Sequence, residues 1–217
     1  MLLFTSLRGR GPSGPAPSPL AFAAIGNGTA AGDPSLTTTA DVPAGNTIVV
    51  GVASYPDPTA ISDGTANVYT QYTQFDNPPV GASLWYCLDP EEVPMGSTIS
   101  ATGSGASSAA IQAWAINRTL ATTGDVGRNG DTGDEAFAEV FTGAFPSVLF
   151  GVLAVNFSGD TLVPPDGWTA DFNGDLPAGG GEAIMGAIIV ESGGPGFFYF
   201  PTGNTFASWA ALAVAFA

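Results

Sequence analysis

The second half of the chain replays the first, and that repetition restricts the folds open to it more than any other feature. Apolar runs of strand length recur in one order. Ser35 aligns with Ala136 and Ala82 with Ala183, both at a spacing of 101 residues, and 49–52 (V-V-G-V) aligns with 149–152 (L-F-G-V) at 100, matching Gly51 to Gly151. Further on, Ser97 and Ala109 find partners at Gly196 and Phe206 with spacings of 99 and 97, which puts Trp114 and Trp209 in matched last strands. Only the loops between the runs change length.

The runs read as β-strands, because each is short, apolar and closed by Gly, Pro, Asp or Asn turn signals such as Y-P-D-P and E-S-G-G-P-G. They cover 20–25, 35–39, 46–55, 67–72, 82–88, 97–102 and 109–117 in the first half, then 136–141, 147–157, 183–191, 196–200 and 206–216 in the second. The expected fold is all-β: a jelly-roll-like antiparallel β-sandwich built from two pseudo-repeated halves, 21–120 and 121–217, forming one domain over 21–217. Each half alone has few strands for a sandwich, whereas two intertwined halves suit a double Greek key. Two tandem immunoglobulin-like domains are the alternative, divided at 120–135, a Gly- and Asp-rich stretch that serves equally as a linker or as a crossover. The strands at 109–117 and 206–216 are apolar on both faces, and a sandwich leaves its outer faces to solvent. Those faces therefore need a cover, either from loops and the N-terminal segment or from other subunits.

Residues 1–20 differ in kind from the rest. An apolar tip, Met1, Leu2, Leu3 and Phe4, leads through Arg8 and Arg10 into a run with four prolines, which excludes helix and central strand. In polyproline II geometry ten such residues reach roughly 30 Å. This segment carries two arginines and no acid, while the remainder holds the other two arginines and all 19 acidic residues. The expectation is an extended anchoring arm in which Leu2, Leu3, Phe4, Arg8 and Arg10 bind a partner or an adjacent copy. The arginines interrupt the apolar start, so no signal peptide is expected.

Composition removes whole classes of function. The chain has no histidine, its four basic residues are all arginine, and its net charge is −15. Histidine-based triads, transition-metal ligand sets, a phosphate-binding lysine and Schiff-base chemistry are thereby excluded, and a nucleic-acid backbone would repel it. No apolar run is long enough for a membrane helix. The lone cysteine, Cys87, can form no internal disulfide, and as a neighbour of Trp85 on one strand face it is expected to be a buried thiol.

Carboxylates are the one abundant ionisable group, but none is paired by spacing. Asp89, Glu91 and Glu92 sit in a proline-flanked loop and read as surface charge. Asp171, Asn173, Asp175 and Glu182 fall at positions 1, 3, 5 and 12 of a calcium loop, but Leu176 stands where that loop needs glycine and Pro177 follows, so a turn between strands is expected. No metal, cofactor or catalytic residue is assigned, and the chain reads as non-enzymatic. Of the aromatics, Trp85, Tyr86 and Trp168 are the ones that could face a sugar, with core packing or loop anchoring the expected role of each.

The apolar start running into a Gly/Pro arm, the lysine-free acidic sandwich composition and the P-P-D-G-W-T loop at 164–169 together resemble the jelly-roll accessory proteins of tailed-bacteriophage virions, of the head decoration, fibre or tail-associated kind. The resemblance spans the body. It implies location in the virion, a structural role without shared catalytic residues, and an arm docked on capsid or tail subunits or on copies of the same chain. Carbohydrate binding or host attachment through a surface glycan is the alternative it leaves.

Overall fold

The computed structural model describes residues 18–120, 122–141, 146–156, 162–191 and 195–217. Leu2, Leu3, Phe4, Arg8 and Arg10 lie outside the described residues. The first half holds β1 (Phe22–Ala30), β2 (Ser35–Thr37), β3 (Thr47–Ser54), β4 (Ala60–Ser62), β5 (Thr70–Asn77), β6 (Val80–Leu88), β7 (Thr98–Thr102) and β8 (Ala109–Ile116). The second holds β9 (Thr122–Phe141), β10 (Ser147–Val155), β11 (Thr169–Asp175), β12 (Glu182–Val190) and β13 (Pro195–Phe216), with one 3-10 turn at Pro177–Gly179. The fold is thus the expected antiparallel, all-β sandwich. Among the described residues no helix is long and apolar enough to cross a membrane.

The repeat is visible in the topology. One sheet runs β1-β8-β3-β6-β5 and the other β9-β13-β10-β12-β11, the same order element for element. Gly51 pairs with Leu84 across β3 and β6, as Val152 pairs with Met185 across β10 and β12, so both strands repeat at a spacing of 101. Even the irregularities recur. A bulge at Tyr72 in β5 interrupts the pairing opposite Trp85 and Leu84, and one at Asp171 in β11 does so opposite Gly186 and Met185. A bulge adds one residue and bends its strand, so finding it twice at one place marks a shared design.

The register corrects the sequence alignment in two places. Gly51 matches Val152, not Gly151, and Trp114 matches Val214, not Trp209, because Gly51 pairs with Gln112 where Val152 pairs with Leu212. A slip of one residue turns a side chain to the opposite face of a sheet. Trp114 accordingly lies in the core between the two sheets, while Trp209 lies on the outer face of the second. The halves also do not intertwine: each builds its own sheet, and the two sheets stack.

Three buried clusters follow from that stacking. The central one interleaves Val49, Leu84 and Trp114 of the first sheet with Phe150, Met185 and Leu212 of the second. Its aromatics meet across the layers, Trp114 with Phe150 at 5.0 Å and Tyr86 with Phe216 at 6.0 Å between ring centroids. The other two clusters answer what covers the outer faces. In the first half, Ile48, Val50, Val52 and Trp85 are capped by Leu36, Ile61 and Ile99 of the small sheet β2-β7-β4. In the second, Leu149, Leu153 and Trp209 are capped by Ala136, Ala138 and Val140 of β9 together with Leu162 and Trp168. The chain supplies its own cover. The two covers are related as well, since β9 and β13 each run unbroken through what the first half divides into β1 with β2 and β7 with β8.

The stretch 120–135, expected as a linker or crossover, is instead largely strand: β9 starts at Thr122 and pairs along β13. One of its glycines has a packing role. A β-carbon on Gly130 would stand 2.2 Å from Phe75 Cε1 and 2.7 Å from the Trp209 carbonyl oxygen, so only glycine lets the first half approach there.

Candidate functional site

The root of the arm is built into the body by polar contacts from one short segment. Asn117 Nδ2 donates to the Pro19 carbonyl at 2.8 Å, and Asn117 Oδ1 accepts from the Ala21 N–H at 3.0 Å. Arg118 Nη2 donates to the Ser18 carbonyl. Leu20 is buried and packs in the central core. The same segment is tied to β3 and the loop before it: Thr47 Oγ1 donates to the Arg118 carbonyl and accepts from the Leu120 N–H, while Thr119 Oγ1 donates to the Gly45 carbonyl. These bonds lie at the end of β8, beside the start of β1, so residues 18–21 are held against the sandwich.

A second feature is a pair of carboxyls. Trp85 belongs to the outer cluster while Val80, Ala82 and Leu84 face the central one, so by alternation Gly81 and Ser83 share the outer face with Trp85. Over Gly81 three oxygens converge. A β-carbon there would sit 2.5 Å from the Ser54 carbonyl oxygen, 2.6 Å from Asp76 Oδ1 and 3.5 Å from Asp57 Oδ1. Among the described residues, neither carboxyl oxygen of Asp57 has a hydrogen-bond partner within ordinary reach. Burial first, and then the Asp76 carboxylate, push the Asp57 carboxyl up to about 8. Two acids this close cannot both ionise at little cost, and the arrangement holds a proton at neutral pH. Their separation of nineteen positions, with neither in a recognisable motif, hides the pair from a reading of spacing alone.

Asp63 shows the opposite behaviour. Burial alone would raise it, but Thr65 donates through N–H at 2.9 Å and through Oγ1 at 2.6 Å, Asn67 Nδ2 at 2.8 Å and Tyr69 OH at 3.1 Å, and together they hold its carboxyl below the usual range. It organises the loop after β4.

The residues singled out in sequence take other places. Asp171, Asn173 and Asp175 lie along β11 rather than around a loop, where Asp171 accepts from Trp114 Nε1 at 2.6 Å and from Thr169 Oγ1 at 3.0 Å, and Asn173 Nδ2 donates to the Leu162 carbonyl at 2.6 Å. Among the described residues no three of His, Cys, Asp and Glu gather as for a metal ion. Trp85 and Trp168 are both buried, and Tyr86 is half-buried against the central core, so none of the three presents a ring to solvent as a sugar platform. Cys87 is buried beside Trp85 in the outer cluster, as expected, and burial followed by the charge of Asp63 raises its thiol.

No protein-family model, no curated protein and no solved structure matches this chain.

Proposed function

We propose that the chain is a non-enzymatic structural protein of a virus particle, a capsid decoration, fibre or tail accessory protein, attached through its N-terminal arm to a neighbouring subunit. The observation that carries the anchoring is the arm root: Asn117 and Arg118 hold the backbone of residues 18–21 to a segment that is itself bonded to β3, so a load on the arm passes into a central strand. The self-covered outer faces agree with this reading in a specific way. Since the small sheet and the β9 and 162–168 segments already bury the apolar surfaces, the outer faces are not what a neighbour must cover, and attachment falls to the arm. Placement in a virion is supported by the resemblance described above.

The test is incorporation. A chain beginning at Ser18 keeps the bonded root and the Leu20 packing while losing Leu2, Leu3, Phe4, Arg8 and Arg10. When it is co-expressed with the particle, this chain is expected to fold and to be missing from purified virions. Incorporation equal to that of the full chain would overturn the reading.

A further inference from the structure

At one end of the sandwich the two halves part to leave a cleft of about 200 Å³, to which each half contributes one wall. The first half supplies Ser54 and Tyr55 at the end of β3, Pro79 before β6 and Ser108 before β8; the second supplies Asn156 after β10 and Leu176 with the glycine-rich turn leading into β12. Ser108 is only 8% exposed, and its hydroxyl has no hydrogen-bond partner among the described residues. A buried hydroxyl without a partner costs on the order of 1–3 kcal/mol, so its retention at the wall of a cleft calls for an explanation. The backbone opposite is shaped around it. A β-carbon on Gly180 would lie 2.2 Å from Ser108 Oγ, so glycine is what allows the turn and the serine to share this wall.

The lining narrows the chemistry of a ligand. None of its residues is charged, and the net charge of −15 disfavours anions throughout. No lining residue carries a carboxylate; the nearest acids, Asp57 and Asp76, converge over Gly81, which itself lines the cleft. What remains alternates in character: the Ser108 hydroxyl and the Asn156 amide beside the apolar surfaces of Pro79 and Leu176, with the Tyr55 ring 37% exposed at the mouth. An uncharged ring with hydroxyls on its edges and C–H groups on its faces satisfies both kinds of surface. The volume is below that of ordinary drug-sized sites, which limits the guest to one ring.

We propose that the cleft between the two halves binds a single neutral sugar residue, with Ser108 and Asn156 bonding its hydroxyls and Tyr55 covering its apolar face. The site is separate from the arm and does not depend on the anchoring role. It also differs from the tryptophans that the sequence suggested for such a task.

The test is a titration of the isotope-labelled full chain, followed by NMR, with the methyl glycosides of glucose, galactose, mannose and N-acetylglucosamine, and with glucuronic acid and glucosamine as charged controls. At least one neutral glycoside is expected to bind saturably, with shifts at Ser108, Asn156 and Tyr55, and the charged sugars to bind at least tenfold more weakly. Ser108→Ala and Tyr55→Ala, each first shown to unfold at the wild-type temperature within a few degrees, are expected to weaken binding several-fold. The chain beginning at Ser18 is expected to bind as the full chain does, which separates this result from any failure of the arm. Absence of saturable binding by every neutral glycoside, equal binding of charged sugars, or affinity unchanged in both variants would overturn the proposal.

Discussion

Val152 of β10 occupies the space that a side chain on Gly51 of β3 would need: a β-carbon at Gly51 would lie 2.8 Å from Val152 Cγ2. The two residues hold the same position in the repeat, one in each sheet, and they meet face to face in the central core. The glycine of one half thus makes room for the valine of the other, with Trp114 and Met185 closing the site at 3.3 Å each. Close-packed interiors resist added volume. Gly51→Val is expected to cost about 1–3 kcal/mol in urea unfolding, and Val152→Ala in the same chain to recover part of it. Strict additivity of the two changes would show that the positions do not share this space.

Trp114 and Asp171 join the halves by a different means. The indole of the first half donates to a carboxylate carried by the β11 bulge of the second, at 2.6 Å. Removing the acceptor leaves the Trp114 N–H, which is wholly buried, without its partner. Asp171→Ala is therefore expected to lower stability by about 1–3 kcal/mol, while Trp114→Phe with Asp171→Ala should cost less than the sum of the two single changes. Denaturant unfolding of the four chains decides it, and an additive cycle would contradict the bond.

Asp57 makes stability depend on pH in the direction opposite to most carboxylates. Its folded-state value of about 8 stands above its ordinary value of 3.8. Between the two the native state binds the extra proton, so stability falls as pH rises through that window, at up to about 1.4 kcal/mol per pH unit, and levels off above it. Asp57→Asn removes the titrating group and is expected to flatten the fall. The readout is the urea midpoint of both chains at pH 5, 6, 7, 8 and 9. Parallel profiles would contradict the account of the pair.

Cys87 should be silent in the native protein. Buried beside Trp85 and with its thiol raised, it is expected to react with a thiol reagent at neutral pH only as fast as the chain opens, and promptly in denaturant. Rapid labelling of the native chain would place it at an accessible surface instead.

How much of this was legible beforehand varies with the kind of evidence each element carries. The apolar strands β3, β6, β8, β10 and β12 declared themselves by composition, and their recurrence exposed the repeat. Their faces were harder to assign. Gly51 and Gly151 look like partners as letters, but pairing register depends on backbone hydrogen bonds to neighbouring strands, and the true match is one residue away. In sequence the first part of β9 and all of β11 resemble linker and turn, because Gly, Asp and Asn dominate them. In β9 one of those glycines is set by the approach of Phe75, in β11 Asp171 by the Trp114 indole: both are long-range causes that local propensity cannot express. The arm root was similarly hidden. Asn117 is only the last residue of the 109–117 run, yet its side chain binds residues almost a hundred positions earlier. Trp168, expected to pack or to anchor its loop, does so as a plug on the outer face of β10 and β13.

The central claim is that the segment before Ser18 attaches the protein to its neighbours, and the most direct measurement is molar mass in solution by light scattering for the full chain and for the chain beginning at Ser18. The account predicts that the full chain associates through its arm on neighbouring copies and that the shortened chain, with its sandwich intact by circular dichroism, is a monomer. Equal molar masses for the two chains, together with equal incorporation of both into particles, would contradict it.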